Sequence, residues 1–360
     1  MNQRITKLRH EIVNAGLDAL LISTFENRLY ISEFSGSAGF LFITDSQLIL
    51  VTDSRYTEQA LIQTKGFTIK RMSAKLDWFK DLVKSSGVKH IGFEEDDITV
   101  NMHQLLLSEI NKLNSDENLD IELSGTSNIV SNLRQVKTHD EILILEKVCT
   151  MTDQAMDTVT PNIVAGMTEK EAAWLLEQSM RNLGGEKMSF DVIVAAGSNG
   201  ALPHHRPDSS IIKSGDSVVI DMGCVYKNYC SDLTRTIVIG ESSDRLSKIY
   251  NTVLEAQIRA ENEARPGMSG ADIDDLARSV IVDAGFGEYF GHSLGHGVGL
   301  QVHEQPWIST KSKNIIKPGM VFTIEPGIYI PGWGGVRIED VVVMQETGVR
   351  LLNRARKMTI

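Results

Sequence analysis

A weak internal repeat in the last two thirds of the chain limits the folds that this sequence can adopt. The segment 166–168, Gly-Met-Thr, with Glu171 three residues after the threonine, returns as 267–269, Gly-Met-Ser, with Asp272. The offset is 101 residues (267 minus 166). A hydroxyl residue followed three positions later by an acid is typical of a helix start, because the two side chains cap each other's backbone N–H groups. The repeat therefore predicts a domain of two similar halves.

Each half also contains a hydrophobic run of strand length that ends in a carboxylate. Residues 218–220 lead to the first acid and residues 321–324 to its counterpart, at an offset of 104 residues (325 minus 221). A second acid in strand-like sequence follows in each half. The four acids that the two halves would bring to a shared centre are Asp221, Asp232, Glu325 and Glu339.

Acids within apolar strands need an explanation, because a buried carboxylate loses its hydration and must be paired, protonated or bound to a cation. Ordinary ion pairs are one explanation, with Asp232 paired to Arg235 and Glu339 paired to Arg337. A shared metal site is the other explanation.

Clustered histidines favour the metal site. Five of the nine histidines fall in two short segments, and glycines at 291, 295, 297 and 299 let the backbone approach a site closely. Four carboxylates and one imidazole suit two divalent ions about 3.5–4 Å apart that acidify a bound water. Imidazole favours Mn²⁺, Co²⁺ or Zn²⁺ over Mg²⁺ alone, and the remaining histidines are candidates for proton transfer or oxyanion stabilisation. The five are His204, His205, His292, His296 and His303.

The first third of the chain is typical of a separate, small α/β domain. Apolar residues at helical spacing (Ile5, Leu8, Ile12 and Val13) predict an opening helix that ends at Gly16. Strands are predicted at 19–22, 39–44, 48–52 and 87–93, with a helix near 56–63.

A polar stretch between residues 114 and 131 indicates the domain boundary. We therefore predict domains at 1–127 and 128–360. Thr138 and Glu141 form a capping box that begins a long helix running to about Thr158.

Composition excludes several classes of function. The chain has 36 basic and 47 acidic residues, a net charge of −11, which disfavours nucleic acid and anionic membranes as partners. Cys149, Cys224 and Cys230 are too few and too irregularly spaced for a disulfide framework or a thiolate zinc site. The sequence shows no signal-peptide core and no run of 18 apolar residues, which favours a cytoplasmic protein. The glycines at 295, 297 and 299 lack the spacing of a dinucleotide-binding loop.

Five blocks carry the candidate site residues: Ile220–Gly223, Ser231–Thr236, Gly295–Glu304, Ile324–Gly327 and Gly334–Asp340. Taken together and in this order, they resemble the pita-bread metallopeptidases, in particular the Xaa-Pro branch of aminopeptidase P and prolidase. The N-terminal segments 30–39 and 53–56 resemble the same branch more loosely, since Glu33 and Ser54 stand where glycine is common. The resemblance implies an α+β fold, with a C-terminal pita-bread (creatinase/aminopeptidase) domain of pseudo-twofold symmetry after a smaller α/β N-terminal domain.

The resemblance also implies a role for each matching residue. Asp221 would bind one metal ion, and Asp232 and Glu339 would bridge the pair. His296 and Glu325 would hold the other ion, with Glu325 also relaying a proton to the proline nitrogen. The remaining matches are His204 in the substrate pocket, His303 near the scissile carbonyl, and His292 and Arg337 at further active-site positions.

The activity implied is hydrolysis of the Xaa-Pro bond at the N-terminus of peptides by two divalent metal ions, Mn²⁺ being favoured and Co²⁺ or Zn²⁺ the alternatives. The Xaa-Pro bond lacks an N–H and needs a dedicated pocket. The substrates would be peptides or dipeptides with proline second, and the protein would be a homodimer. Prolidase activity limited to dipeptides is the alternative. A more remote alternative is a pita-bread protein that is not a peptidase. Such a protein is expected to lack some of the metal ligands, whereas all five ligand positions are intact in this sequence.

Overall fold

A computed structural model describes residues 2–73 and 75–358 of the chain. The chain divides into two compact units, an N-terminal unit, Met1–Arg134, and a C-terminal unit, Gln135–Ile360. The boundary predicted between residues 127 and 128 lies just before the last helix of the N-terminal unit.

The N-terminal unit is built on one mixed sheet of six strands in the order β4-β3-β2-β1-β5-β6. β1 pairs antiparallel with β2 and parallel with β5. Its strands are β1 (Ala19–Ile22), β2 (Phe40–Thr44), β3 (Leu48–Thr52), β4 (Thr68–Arg71), β5 (His90–Glu94) and β6 (Glu122–Thr126). Its helices are α1 (Asn2–Asn14), α2 (Phe25–Ser32), α3 (Thr57–Gln63), α4 (Asp77–Ser86), α5 (Val100–Glu117) and α6 (Ile129–Gln135).

The central strand β1 is apolar without interruption and every residue of it is buried, because both faces of the sheet are covered there, whereas the edge strands β4 and β6 are polar and partly exposed. The predicted strands at 19–22 and 48–52 coincide with β1 and β3, and Gly16 has the positive φ of +71° expected after a helix. The prediction that Val13 shares the apolar face of α1 is wrong, because it is 66% exposed. One helical position turns Val13 about 100° away from Ile12, which is buried.

The C-terminal unit contains four helices and thirteen strands within the described residues. Short 3₁₀ turns lie at Thr160–Asn162, Gly197–Ala201 and Gly287–Tyr289. The helices are α7 (His139–Val159), α8 (Glu169–Asn182), α9 (Asp244–Glu263) and α10 (Gly270–Asp283). The strands are β7 (Lys187–Met188), β8 (Ile193–Ala196), β9 (Ser217–Met222), β10 (Cys224–Tyr226), β11 (Tyr229–Cys230), β12 (Leu233–Val238), β13 (Gly295–Gly297), β14 (Glu304–Ile308), β15 (Val321–Ile324), β16 (Gly327–Ile330), β17 (Gly334–Arg337), β18 (Asp340–Gln345) and β19 (Gly348–Leu351).

The repeat seen in the sequence is a repeat of structure. Both blocks are complete capping boxes, and the helices α8 and α10 that follow each contain 14 residues. Thr168 bridges to Ile211, and Ser269 bridges to Ile315 in the same antiparallel manner. The capping box predicted at Thr138 is also present and begins α7.

Each half of the C-terminal unit has its own hydrophobic core. The first core joins α7 and α8 to the sheet β12-β9-β8, and the second joins α9 and α10 to the sheet β14-β13-β15-β18-β19. This confirms the predicted α+β domain with pseudo-twofold symmetry. The three cysteines are buried and form no disulfide bond within the part of the chain that is described. Across residues 2–73 and 75–358, no helix combines the length and apolar character needed to cross a bilayer.

Candidate metal centre

The four acids sit on two antiparallel strand pairs. In the first pair, Asp221 of β9 lies opposite Thr234 of β12, and Asp232 directly precedes β12. In the second pair, Glu325 directly follows β15 and Glu339 directly precedes β18. The Glu339 N–H donates to the Thr234 carbonyl at 3.0 Å, which joins the two pairs.

His296 on β13 faces these acids. Its Nε2 lies 3.2 Å from Oε1 of Glu325 and 3.7 Å from Oδ2 of Asp232. Its Nδ1 lies 3.2 Å from the Gly297 carbonyl oxygen, a contact that fixes the proton on Nδ1 and directs Nε2 to the acids. A Cβ on Gly295 would lie 2.0 Å from the Thr323 carbonyl oxygen, so glycine is required for this close approach.

One atom each from Asp232, His296 and Glu339 falls within a mutual 4.8 Å, and these three residues are 4%, 8% and 2% exposed. Among the described residues, the two ion pairs that the sequence offered as an alternative do not form. Arg235 pairs with Asp340, and Arg337 pairs with Asp221, each at 2.7 Å. The acids at 232 and 339 therefore have no arginine of their own to neutralise them.

Burial and mutual repulsion raise the pKa of three of the acids. Burial is the largest cause for Asp221, Asp232 and Glu339, and the pKa values of Asp232 and Glu339 lie well above the usual range because neighbouring carboxylates add to it. Oδ1 of Asp221 is buried and accepts no hydrogen bond within the described residues. Clustered, desolvated carboxylates with an orphaned oxygen fit a pair of divalent cations.

Metal affinity is expected to rise with pH. The raised pKa values of Asp232 and Glu339 leave protons on the metal-free centre, and a cation must displace them. Metal affinity should increase over the pH range between the ordinary carboxyl pKa and the raised pKa values of Asp232 and Glu339. Calorimetric titration with Mn²⁺ in two buffers of different ionisation enthalpy would measure the released protons. Affinity that is independent of pH, with no proton release, would contradict this assignment.

Glu325 and His296 behave as an ion pair in the metal-free protein. Burial by itself would raise the pKa of Glu325, but the hydrogen bond and charge of His296 outweigh it and lower the pKa to about 2. The pKa of His296 is raised in turn, because Glu325 overcomes the opposing effect of burial. A cation held by Nε2 of His296 would have to displace this proton as well.

A buried chain of hydrogen bonds runs outward from Asp221. Arg337 donates from Nη2 to Oδ2 of Asp221 at 2.7 Å and from Nη1 to the Tyr329 hydroxyl at 2.8 Å. That hydroxyl lies 2.9 Å from Nε2 of His292. Burial lowers the pKa of His292 and raises the pKa of Tyr329 to about 12, so a protonated phenol donates to a neutral imidazole. A second branch joins Nε of Arg337 to Thr234 Oγ1 (3.1 Å), which donates to Glu339 at 2.6 Å.

The acids and histidines of the centre line one pocket of about 540 Å³. His303 and His204 lie on its wall, and both are exposed. The rings of His296 and His303 meet edge to face with centroids 4.3 Å apart. Partial desolvation by the pocket wall lowers the pKa of His303, with the neighbouring His296 adding to the effect, so its imidazole is neutral at pH 7. All nine residues to which the family resemblance gave a role therefore line this one pocket.

A second cluster, Glu169, His205 and Asp208, also has metal-like spacing. In this cluster the Glu169 carboxylate already has hydrogen-bonding partners within the protein. Glu169 accepts from the Ala196 N–H at 2.8 Å and from Asn199 at 3.0 Å, and Nε2 of His205 lies 2.7 Å from its other oxygen. The cluster is explained as an anchor for the polypeptide rather than as a cation site.

Sequence reasoning did not find Tyr329 or Thr234 among the site residues. Thr234 lies in β12 and Tyr329 in β16, and neither residue type is diagnostic of a metal centre. Thr234 falls within the block Ser231–Thr236, and Tyr329 falls between the blocks Ile324–Gly327 and Gly334–Asp340, which was the available sequence signal.

Tyr329→Phe is expected to destabilise the metal-free protein by about 1–3 kcal/mol, because the buried Nη1 of Arg337 loses its 2.8 Å acceptor. Urea denaturation of both proteins would give the free energy of unfolding. Tyr226→Phe, on β10 outside this network, is the matched control. An equal loss in the free energy of unfolding in Tyr329→Phe and Tyr226→Phe would show that the Tyr329 hydroxyl does not stabilise this network.

Comparison with known proteins places this geometry in a family. Residues 144–346 match Metallopeptidase family M24, and residues 4–136 match the Creatinase/Prolidase N-terminal domain. The chain belongs to metallopeptidase family M24. Its fold is accordingly the pita-bread domain of that family, preceded by a creatinase-type N-terminal domain. The family assignment makes the chain a metallopeptidase, and the four-acid cluster the natural candidate for its metal centre.

The similarity of this M24 chain to known members extends over its whole length. It is 41% identical to an uncharacterized peptidase of Bacillus subtilis over 99% of each chain. The structure resembles that of an Xaa-Pro dipeptidase from Bacillus anthracis, with a TM-score of 0.94, 40% identity and 99% of each chain covered. It also resembles an X-Pro aminopeptidase from Thermotoga maritima, with a TM-score of 0.89, 38% identity and 98% coverage of each chain.

Proposed function

We propose that this protein is a metal-dependent peptidase that cleaves the bond between an N-terminal residue and proline. The observation that carries the proposal is the group of four carboxylates and one imidazole that lines a single pocket of about 540 Å³, with Asp232, His296 and Glu339 buried within 4.8 Å of one another. Similar solved structures named as an Xaa-Pro dipeptidase and an X-Pro aminopeptidase support the proline specificity.

We assign five residues to metal binding: Asp221, Asp232, His296, Glu325 and Glu339. Two bound divalent ions would supply Lewis-acid polarisation of the scissile carbonyl and acidify water. The donor set of carboxylates and one imidazole, without thiolates, favours Mn²⁺. Co²⁺ and Zn²⁺ are the alternatives to be compared with it.

The protein's own side chains would handle protons and charge. His303, whose ring packs against that of His296, is assigned to donate its N–H to the carbonyl oxygen as negative charge develops there. Its lowered pKa keeps the ring neutral, so one nitrogen remains a donor without carrying a full charge. Glu325, ionised at neutral pH, can accept a proton and pass it to the departing proline nitrogen.

The remaining residues would hold this arrangement in place. Arg337 is 3% exposed and orients Asp221, while Tyr329 ties Arg337 to His292. His204, exposed on the pocket wall, is assigned to contact the substrate. Because an Xaa-Pro bond offers no amide N–H, binding must rely on the carbonyl, the ring and the chain ends of the substrate.

The test is hydrolysis of Ala-Pro, Ala-Pro-Ala and longer Xaa-Pro peptides by metal-stripped protein before and after Mn²⁺, Co²⁺ or Zn²⁺ is restored. Ala-Ala-Ala is the control for proline specificity. Metal-dependent cleavage of the Xaa-Pro substrates alone is the expected result. Failure to cleave any of them with every metal would overturn the proposal in favour of a non-peptidase role. The homodimer and the cytoplasmic location stay predictions from the sequence.

A further inference from the structure

A second charged cluster lies next to the metal centre but outside its pocket. It joins one acid, one amide and two cations, and we call the cluster of Asp340, Arg235, Gln257 and Lys357 the Asp340 network. Within the described part of the chain, the pocket wall includes none of these four side chains. Asp340 is buried and directly follows the assigned ligand Glu339, yet the proposed mechanism gives the network no role.

The buried carboxylate of Asp340 is the hub of this network. Its Oδ1 accepts from Nη2 of Arg235 at 2.7 Å. Its Oδ2 accepts from Nε2 of Gln257 at 3.1 Å and from Nζ of Lys357 at 2.8 Å. Three donors therefore meet on one buried charge, and removing any of them leaves that charge less well satisfied.

Two of these donors also hold the backbone of the strands that carry the metal-centre acids. Arg235 donates from Nη1 to the Glu339 carbonyl at 2.5 Å and to the Thr234 carbonyl at 3.0 Å. Gln257 donates from Nε2 to the Ile324 carbonyl at 3.2 Å. The network thus contacts the backbone within two residues of three assigned ligands, which are Asp232, Glu325 and Glu339.

The third donor, Lys357, lies on a segment that is fixed on both sides of it. On one side, the Asn353 side chain donates to Asp153 at 3.0 Å. On the other side, the Met358 N–H donates to the Tyr250 hydroxyl at 2.7 Å. Because its backbone is already fixed, the ammonium loses little conformational freedom on binding the hub carboxylate.

Resting on the proposed function, we propose that Lys357 is a positioning residue for the metal centre. Its ammonium satisfies Asp340, and Asp340 in turn fixes the two donors that hold the ligand-bearing strands. Without the ammonium, the buried carboxylate would draw those donors away from the backbone carbonyls. The two strand pairs would then lose the fixed spacing that shared ligands require.

The test is calorimetric titration of metal-stripped protein with Mn²⁺ at pH 7. Lys357→Met is expected to weaken Mn²⁺ binding by about tenfold, the lower end of the effect of removing an outer-shell partner. Lys357→Arg should recover most of the affinity, because a guanidinium keeps the charge beside Asp340. At saturating Mn²⁺, Lys357→Met should lower kcat for Ala-Pro and leave KM unchanged, since the network lies outside the pocket.

Arg350→Met is the matched control. Both cations are partly exposed and pair with an acid of a helix, Lys357 with Glu261 of α9 and Arg350 with Glu146 of α7. Across residues 2–73 and 75–358, Arg350 forms no ion pair or hydrogen bond with the Asp340 network. Urea denaturation should show a loss of unfolding free energy in both metal-free variants, whereas Mn²⁺ affinity should fall in Lys357→Met alone.

Wild-type Mn²⁺ affinity in Lys357→Met, or an equal weakening in Arg350→Met, would overturn the role of Lys357 and leave the peptidase proposal intact. A wild-type protein that binds no Mn²⁺ and cleaves no Xaa-Pro peptide would instead reject the proposed function itself.

Discussion

Replacing Asp232 by asparagine is expected to abolish metal loading and, with it, hydrolysis of Xaa-Pro substrates. Asp232 is 4% exposed, and its carboxylate shares a cluster within 4.8 Å with His296 and Glu339. Asparagine keeps the shape but removes the charge that a bridging ligand must supply. The loss of activity should exceed the roughly 10–100-fold effect of removing an outer-shell partner. Metal content after dialysis and kcat/KM for Ala-Pro would measure the two losses.

The same substitution should stabilise the metal-free protein. The pKa of Asp232 is raised well above its unfolded value, chiefly by burial and then by Glu339, so ionising this group in the folded state costs stability. That cost is absent at low pH and grows as the pH rises above the ordinary carboxyl range. Asp232→Asn removes it, and the metal-free variant should melt at a higher temperature than metal-free wild type at pH 7.

Thermal scans with and without Mn²⁺ separate the two effects. Added Mn²⁺ should raise the Tm of the wild type and leave that of Asp232→Asn unchanged. Asp283→Asn, at an exposed position of α10, is the control and should respond to metal as the wild type does. A variant that keeps both metal-dependent stabilisation and activity would rule out Asp232 as a ligand.

Arg337→Met is expected to lower the free energy of unfolding of the metal-free protein by about 3–5 kcal/mol, because it leaves a largely buried carboxylate without its counter-charge. The Arg337 side chain is 4% exposed and that of Asp221 15% exposed, with 2.7 Å between them. Turnover should fall as well, since Tyr329 and Thr234 lose the donor that orients them.

Arg337→Lys separates charge from geometry. An ammonium can replace the charge beside Asp221 but cannot reach three partners in a planar fork. We expect it to recover part of the stability and little of the activity. Urea denaturation and steady-state kinetics of both variants would provide the comparison. A loss below 1 kcal/mol in Arg337→Met would mean that Asp221 is not held by this pair.

The positions of the acids could be predicted because a carboxylate within an apolar strand is conspicuous in sequence. The runs ending at Asp221 and Glu325 correspond to β9 and β15, and the capping boxes at Thr168 and Ser269 are local patterns that need no tertiary information. Local patterns of this kind determine where elements begin and which side chains they carry.

The partners of the arginines could not be predicted in the same way. Sequence proximity suggested that Arg235 and Arg337 neutralise Asp232 and Glu339, whereas both arginines reach acids elsewhere. Asp232 and Arg235 are three positions apart, and residues an odd number of positions apart along a strand point to opposite faces. Arg337 ends β17, and Glu339 lies beyond that strand, so the alternation of β17 does not set its direction. The contacts of Tyr329 likewise depend on how β16 meets β17 and the loop at His292, which no local pattern encodes.

Because the acids come from two separate strand pairs, a bound metal would affect the stability of the C-terminal unit as well as catalysis. Asp232 and Glu339 lie 107 positions apart in sequence (339 minus 232), and each directly precedes a strand of a different sheet. A cation held by both would act as a cross-link that closes a very long loop, and metal links that close long loops are expected to stabilise a fold most. Chelation should therefore do more than stop turnover. It should let the two halves of the C-terminal unit open separately, so that hydrogen exchange at β9, β12, β15 and β18 speeds up together when the metal is removed.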